Sequence, residues 1–451
     1  HNTFSLMRDC YADWTKLYPG EALAFSEAFI KVPDCTLVGN RTGDGVETMD
    51  LPFPTNDLEP GVDPPDPGPF VMLDRMLRYV RDMLMRLANA DIYALGDGLG
   101  LAHSVMSRRA AAMANRLDRL LRRLYRLPFA TFVARPIEKI TQFGLAAARD
   151  LLLAAEPHVR PPSGQINPAM AGAIVAIFAH GFVKDRLHIH GYDIIDDIDT
   201  AAWLRRNGAT DRVIESAFIR AGYDYVFAFA GGVTDPPDRA LAASVGVKWF
   251  LRFMLTYHGA LFYHLNGGMG EIVFTPLYIV LRERGVKFEF FHKVEAIRLS
   301  KDGKYIEEIA GIVQARTKGG KPYSPLIDWG ERQAWPVRPI YEQLLDADII
   351  RANDDLECDW ARTDGTTPFL LRAGAEFDRI ILGISVGALR PICKNLYDRL
   401  PQWRTMLDTA STIPAAGVQI WSTQTTDELG WRRTRPDLLT AHAQPFATWA
   451  D

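Results

Sequence analysis

The chain has 451 residues, which is two to three times the usual domain size, so we expect at least two domains. Hydrophobic residues make up 48% of it and charged residues 24%, and the formal net charge of -4 does not favour a nucleic-acid partner. No run of eighteen apolar residues predicts a membrane span, no signal peptide is found, and the 4 cysteines are too scattered for a metal or redox motif.

The first 69 residues begin with a helical pattern and then become irregular. The apolar stripe of the predicted helix is formed by Phe4, Met7, Tyr11 and Trp14. The tract PGVDPPDPGP, from Pro60 to Pro69, cannot continue a helix and predicts a loop. The chain also begins with His1 instead of a methionine, so we expect that it is a processed or truncated piece.

The region 70–258 is predicted to be mostly helical, because its apolar residues recur with the helical period and prolines mark the helix ends. The predicted helices span about 72–87, 104–127, 136–155, 167–182, 200–207, 211–221 and 237–258. The helix that begins at Asn167 and Pro168 is apolar on almost every side and too short to cross a bilayer. We therefore expect it to be buried in protein.

The region after residue 258 has a mixed texture. Strands are predicted at 261–265 and 286–291 on either side of a helix at 271–284, which together form a βαβ unit. Asp302-Gly303 lies between two β-rich stretches and predicts a hairpin. Residues 377–383 predict a buried strand that leads into a loop. The fold class is therefore α/β, or mixed α+β.

The glycine cluster Gly267-Gly268-Met269-Gly270 is the sharpest local signal. A strand followed by glycines and a helix N-terminus presents free backbone N–H groups and permits close approach of a flat or anionic ligand. Two features weaken the match to a dinucleotide fingerprint: Val273 stands where a small residue is expected, and Glu271 opposes a phosphate. A structural tight turn and a ligand contact both stay open.

Several strings resemble the phytoene desaturase and amine oxidase group of flavoenzymes. They are Tyr263-His-Leu-Asn-Gly-Gly-Met-Gly-Glu, Pro276-Leu-Tyr, Arg284-Gly-Val-Lys-Phe, Lys293-Val-Glu-Ala-Ile, and the strand-like stretch 377–384. Asp199-Thr-Ala-Ala-Trp-Leu and the first eleven residues are similar to further segments of bacterial members. The resemblance implies FAD as the cofactor, held by Gly267, Gly268, Met269, Gly270, Val294 and Gly383, with Val294 near its adenine end.

The same resemblance implies an incomplete Rossmann-like flavin domain plus a largely helical substrate domain with a sheet. Residues 1–69 would be an irregular N-terminal segment, 70–258 the helical substrate or membrane-facing domain, 259–395 the remnant of the flavin domain, and 396–451 the return to the substrate domain. The usual N-terminal GxGxxG motif is absent from the chain. We therefore expect a preceding segment or a partner chain to complete the flavin site.

The implied activity is hydride transfer from an apolar, polyprenoid-like or amine-bearing small molecule to the flavin. The sequence contains no GxSxG or HExxH motif, and the catalytic side chains remain unknown. Without its nucleotide-binding ends the chain is also consistent with a non-catalytic scaffold or membrane-surface module. A nicotinamide enzyme that uses the turn at 268–273 is a third possibility.

Metal binding was considered for two clusters. His188 and His190 alternate with apolar residues, as in a half-exposed strand or turn, and His180 lies nearby. An acidic run, Asp193 to Asp199, is better explained as a loop whose last aspartate caps the helix at 200 than as a cation site. No metal is therefore expected.

The arginine-rich faces of the helices at 72–87 and 104–127 have two interpretations. A basic amphipathic helix can lie on an anionic membrane and admit a lipid-like substrate. An ordinary solvated face is the alternative, and it is favoured because Asp74, Asp82 and Asp118 interrupt the positive charge. We expect a cytoplasmic protein with a possible peripheral contact at the inner face of the membrane.

Overall fold

The computed structural model describes most of the chain. The described residues are 2–20, 23–42, 45–52, 55–62, 68–89, 100–124, 135–159, 164–165, 167–234, 237–330, 332–345, 347–352, 356–358, 366–425, 427–430, 438–440 and 448–450. The fold mixes helices with small sheets, as the sequence predicts.

The helices are α1 (Asn2–Leu17), α2 (Phe25–Ala28), α3 (Pro69–Ala88), α4 (Gly100–Leu124), α5 (Arg135–Ala155), α6 (Pro168–Lys184), α7 (Leu187–His190), α8 (Thr200–Arg206), α9 (Asp211–Ile214), α10 (Ala217–Tyr225), α11 (Ala243–Leu255), α12 (Thr275–Glu283), α13 (Ala347–Ala352), α14 (Val386–Ile392), α15 (Lys394–Arg399) and α16 (Pro401–Thr409). A π-helical turn, Gly270–Phe274, precedes α12 directly.

The strands are β1 (Phe29–Val32), β2 (Asp34–Thr42), β3 (Gly45–Pro52), β4 (Gly164–Gln165), β5 (Phe229–Thr234), β6 (Pro237–Arg239), β7 (Phe262–Leu265), β8 (His292–Leu299), β9 (Ile306–Val313), β10 (Ile327–Trp329), β11 (Arg332–Ala334), β12 (Thr367–Arg372), β13 (Leu438–Thr440) and β14 (Thr448–Ala450).

The chain divides into two compact units, each built from separate stretches of sequence. Unit 1 contains residues 31–264 and 413–451, and unit 2 contains 2–30 and 265–412. The bounds therefore differ from those of the four predicted segments, whose division by function stays a prediction.

Unit 1 is organised around α6, which is buried along its length as its composition predicts. Asn167 caps this helix by accepting hydrogen bonds from the backbone N–H groups of Ala169 and Met170. Apolar residues of α3, α4, α5, α8 and α11 pack in the same core. A five-stranded sheet with the order β14-β13-β2-β3-β4 belongs to the same unit.

Asp199, the last residue of the acidic run, caps the N-terminus of α8. Its carboxylate accepts hydrogen bonds from the N–H groups of Ala201 at 2.8 Å and Ala202 at 3.4 Å, and so caps α8 as predicted. It also accepts one from the Tyr223 hydroxyl at 3.0 Å. The carboxylate is thus already engaged in structural hydrogen bonds.

Unit 2 is organised around an antiparallel sheet with the order β12-β9-β8. The hairpin predicted at Asp302-Gly303 is confirmed: β8 and β9 pair antiparallel, and Gly303 has a positive φ of 74°. Two separate apolar clusters flank the sheet, one around α14, α15 and α16 and the other around Tyr341 and Leu344.

Two predicted strands of unit 2 are wrong. Residues 286–290 belong to no strand, and Phe288 and Phe290 pack instead against the ring of Tyr278. The stretch 379–383 is likewise unpaired, and Ile381 is 97% exposed. Both stretches have the composition of a strand, but neither has a neighbouring strand among the described residues. The βαβ unit consequently lacks its second strand.

Other differences are smaller and lie in unit 1. The helix predicted at 237–258 begins only at Ala243, because Pro237–Arg239 pairs with β5. The helix predicted at 211–221 is interrupted at Glu215, and two short helices replace it. The half-exposed strand or turn considered for Leu187–His190 is a short helix. Within the described part of the chain, no helix has both the length and the apolar character needed to span a bilayer.

Candidate functional site

The glycine turn lies between β7 and the π-helical turn that leads into α12, so the predicted order of strand, turn and helix is confirmed here. Gly267 has a φ of 143°, a conformation that residues with a side chain rarely adopt. The backbone carbonyl of Gly268 accepts hydrogen bonds from the N–H groups of Glu271 at 3.1 Å and Ile272 at 3.0 Å. Met269 is 53% exposed, so the turn is open to solvent.

Gly270 marks the side of the turn that meets the rest of unit 2. A Cβ atom at Gly270 would lie 3.3 Å from Cβ of Trp335 and 3.4 Å from its backbone oxygen. The absence of a side chain therefore permits the turn to approach Trp335 closely. Trp335 in turn forms part of the wall of a cavity.

The cavity has a volume of about 700 Å³, within the usual range for a small-molecule site. Its wall combines residues from separate parts of the sequence between 289 and 357, and its aromatic residues are Phe290, Phe291, Tyr323, Trp335 and Tyr341. Several of these rings contact one another edge to face; the Phe291 and Tyr323 centroids are 4.9 Å apart. Aromatic rings arranged in this way favour a flat ligand.

A few polar groups in the wall define hydrogen-bonding directions. His292 places Nδ1 2.7 Å from the Phe290 carbonyl, which makes Nδ1 the protonated nitrogen of the neutral ring and leaves Nε2 as an acceptor. The Tyr323 hydroxyl accepts a hydrogen bond from the Ile340 N–H at 2.9 Å, and burial raises its pKa, so it retains its proton. Gln314 donates to the Leu356 carbonyl at 2.8 Å.

The charged side chains in the wall are of both signs. Glu289, Glu357 and Arg338 are exposed there, and Lys293 is half-buried. Among the described wall residues there is no cysteine or serine, and the histidine contacts a backbone carbonyl and a phenylalanine ring. The arrangement can orient a flat polar molecule, but the wall itself offers no activated nucleophile.

The remaining predicted contacts, Val294 and Gly383, lie beside a different part of unit 2. Val294 packs against the apolar cluster of α14, α15 and α16, and so do Leu382 and Ile384, the neighbours of Gly383. A Cβ atom at Gly383 would meet nothing within 4 Å. The predicted cofactor contacts thus fall into two groups. Gly267 to Gly270 lie next to Trp335 of the cavity wall, whereas Val294 and Gly383 lie beside the apolar cluster of α14, α15 and α16.

The sequence predicts the glycine turn but does not predict the cavity beside it. The run Phe288 to Phe291 was interpreted only as a strand, and the stretch around Trp335 and Tyr341 was not considered. The available signal was the density of aromatic residues in two separate stretches, which by itself does not show that they meet.

Other titratable groups are part of the packing. Burial raises the pKa of Cys10 to about 11, which keeps its thiol protonated. In unit 1, Nε2 of His188 lies 3.0 Å from a carboxylate oxygen of Glu138, which also accepts a hydrogen bond from Arg186 at 3.2 Å. Burial lowers the pKa of His188 despite this carboxylate, so the pair is a buried structural contact.

In the described ranges, the side chains of His, Cys, Asp and Glu form no group of three that could hold a metal ion. Comparisons of the chain with protein-family models, with curated proteins and with solved structures found no match.

Proposed function

We propose that this chain is part of a FAD-dependent oxidoreductase in which the flavin lies against the turn Gly267–Gly270. The observation that carries the proposal is that the turn borders an aromatic cavity through the contact between Gly270 and Trp335. Exposed backbone without side chains permits a flat ring to approach closely, and the adjoining cavity is large enough for a small molecule.

The orientation of the cofactor follows from charge. Glu271 stands at the first turn of the helix that follows the glycines, where its carboxylate disfavours a phosphate. The ring system is therefore the better occupant of the turn, and the adenine end lies near Val294. Gly383, which leaves open space beside the same apolar cluster, completes the set of cofactor contacts.

The bound flavin would accept a hydride from an apolar, polyprenoid-like or amine-bearing substrate. The residues of this chain would supply orientation and exclusion of water. In the cavity wall, Phe290 and Trp335 offer ring faces and edges to the ligand. The Tyr323 hydroxyl offers a hydrogen-bond donor there, and His292 Nε2 offers an acceptor. This division of roles requires few acid or base side chains.

A Rossmann-like sheet would be completed by a preceding segment or a partner chain. The stretch 379–383 supports this part of the proposal, because it pairs with no strand among the described residues. Leu382 and Ile384 face an apolar cluster on one side, whereas Ile381 is almost fully exposed on the other. One added strand with its covering layer would pair the backbone and bury Ile381.

The proposal is tested by titrating the chain with FAD, alone and after co-expression with its completing segment, and following flavin fluorescence. Met269→Asp places a negative charge at the exposed turn, and we expect it to weaken FAD binding about tenfold or more. The matched control is Met406→Asp, on the exposed surface of α16 in the same unit, which should leave binding unchanged.

Absence of bound FAD from the completed protein by absorbance and mass spectrometry would refute the flavin assignment. Equal affinities of Met269→Asp and Met406→Asp would instead move the flavin away from the turn. NADH in place of FAD as the stabilising ligand would favour the nicotinamide alternative.

The proposal also includes the cellular location. The enzyme would work in the cytoplasm and contact the inner face of the membrane peripherally, where a polyprenoid-like substrate is held. Peripheral contact needs an exposed surface with apolar and basic side chains.

A further inference from the structure

Helix α11 of unit 1 has large apolar side chains on its exposed face. Its other face is buried through Ala243, Ser244, Val247 and Leu251. Val245, Trp249 and Phe253, spaced four residues apart, point outward and are 42%, 60% and 40% exposed. An ordinary solvated helix has polar residues at such positions.

The exposed face continues beyond the helix through ring contacts. Phe253 meets the ring of Phe262 edge to face at 5.6 Å, and Phe262 stacks on Tyr225 at 5.8 Å. The two residues after Tyr225 are Val226 and Phe227, which are 56% and 61% exposed. The aromatic face is defined here as Val226, Phe227, Val245, Trp249 and Phe253.

Phe227 has a positive φ of 53°, a conformation that is unfavourable for a bulky residue. Its backbone N–H donates to the carbonyl of Asp224 at 3.2 Å, and the next N–H, of Ala228, donates to the carbonyl of Tyr223 at 3.0 Å. These bonds at the end of α10 hold the turn in which the Phe227 ring is exposed. The ring is therefore presented to solvent by an ordered backbone.

Basic residues accompany the aromatic residues along α11. Lys248 and Arg252 alternate with Trp249 and Phe253 along α11, and Lys248 is exposed. The sequence from Arg239 to Gly270 contains no Asp or Glu. Asp224 of α10 is only 9% exposed. The exposed acidic run that includes Asp196 lies at the N-terminal end of α11, where Asp196 accepts a hydrogen bond from Ser244, whereas Lys248 and Arg252 follow in the next turns of the helix. A surface of this composition attracts anionic groups and disfavours other cations.

We infer that the aromatic face is the surface by which this protein binds an anionic lipid bilayer. Trp249, Phe253 and Phe227 would enter the region between headgroups and acyl chains, and Lys248 and Arg252 would meet lipid phosphates. The inference rests on the peripheral membrane contact of the proposed function and does not depend on the flavin.

The arginine-rich helices make a less suitable membrane surface. On α4, Asp118 accepts from Arg122 at 2.8 Å and from Arg81 of α3 at 3.4 Å, and on α3, Arg78 pairs with Asp74 at 2.9 Å. These pairs cancel part of the positive charge, and no aromatic side chain accompanies the exposed arginines of α4 in residues 105–122. That surface is suited to water.

The experiment is flotation of the chain with vesicles of phosphatidylcholine, with and without phosphatidylserine. The test variant is Trp249→Glu/Phe253→Glu, and the matched control is Arg116→Glu/Arg119→Glu on α4, which changes the net charge more. We expect wild-type binding to the anionic vesicles that falls with added salt, a loss of about tenfold or more in the test variant, and wild-type binding in the control. Lys248→Glu, which leaves the apolar residues in place, should weaken binding by a few fold.

Circular dichroism melting establishes that each variant is folded. If the test variant is unfolded, Lys248→Glu decides, and its wild-type binding would overturn the inference. Wild-type binding by a folded Trp249→Glu/Phe253→Glu would overturn the surface while leaving membrane contact intact. No binding by the wild type to either vesicle would overturn the membrane contact itself, whereas the FAD titration would still stand. A wild-type dimer dispersed by the double variant, with no vesicle binding, would identify the face as an interface between copies.

Discussion

The two units differ in how completely they bury their apolar residues. In unit 1 the side chains of α6 lie in one extended core, and Trp203 is fully buried beside it. In unit 2 the apolar clusters are smaller and separate, while Trp329, Val337 and Ile381 are 71%, 101% and 97% exposed. Burial of apolar surface is the main driving force for folding, so the described residues of unit 1 account for its stability better than those of unit 2 do.

This contrast teaches where the function should be sought. A large apolar side chain in contact with water contributes little to the fold that exposes it. In unit 2 such side chains occur together with an aromatic cavity and with the stretch 379–383, which pairs with no strand among the described residues. Unit 2 is thus the part whose exposed apolar residues are suited to contacts with a ligand or another chain. In unit 1, exposed apolar residues include those of the aromatic face.

The largest expected effect is that of Trp203→Ala in unit 1. Trp203 is fully buried, and its indole N–H donates to Asp185 at 2.7 Å. Removing the ring leaves a large cavity and takes one hydrogen bond from the Asp185 carboxylate, which keeps its ion pair with Arg206 at 2.6 Å. We therefore expect a loss of about 3–5 kcal/mol in the free energy of unfolding, mainly from the cavity. Urea denaturation followed by circular dichroism measures it.

Trp329→Ala in unit 2 is the matched control for that measurement. Because the Trp329 side chain is 71% exposed, we expect the free energy of unfolding to change by less than about 0.5 kcal/mol. Equal losses in the two variants would contradict the difference in burial between the units.

An intermediate effect is expected from the pH dependence of unit 1. Burial, together with the positive charges of Arg149 and Lys184, lowers the pKa of His180 from its usual 6.5 to about 4. The unfolded chain therefore takes up a proton near pH 6.5, before the native chain does. The contribution of His180 to stability is present above pH 6.5 and is lost as the pH falls towards 4, by up to about 3 kcal/mol.

The measurement is the difference in free energy of unfolding between the wild type and His180→Gln at pH 7 and at pH 4.5. We expect the wild type to lose stability relative to the variant on acidification. The comparison between two proteins is necessary because burial raises the pKa of Asp224 to about 6, and that carboxyl contributes with the opposite sign over part of the same range. A difference that is independent of pH would exclude His180 as the source.

The helices of unit 1 could be predicted because their signals are local. The period of the apolar residues in α3 and the Asn167-Pro168 pair at the start of α6 are read within a few turns of sequence. The hairpin of unit 2 was equally accessible, since Asp302 accepts from the Lys304 N–H at 3.3 Å and Gly303 supplies the positive φ within one turn.

The strands at 286–291 and 377–384 could not be predicted correctly, because alternation shows which residues share a face but not whether a neighbouring strand is present. The candidate site divides in the same way. The turn Gly267–Gly270 is a local motif and was found, whereas the cavity joins His292 to Trp335 and Leu356 across long separations. No spacing in a single sequence shows that such residues meet.

The smallest expected effect concerns Ile381 and tests the open side of unit 2 most directly. Because Ile381 is 97% exposed, Ile381→Lys should change the free energy of unfolding of this chain by less than about 0.5 kcal/mol. Leu382→Lys, one residue further and packed against the apolar cluster, should cost about 2 kcal/mol or more because it buries a charge. If a completing strand and its layer cover the other side, Ile381→Lys will be neutral in this chain alone and will impair FAD binding by the completed protein. If Ile381→Lys changes neither the stability of this chain nor FAD binding by the completed protein, the exposed side of 379–383 faces water in both. That result would refute the proposal of an added strand.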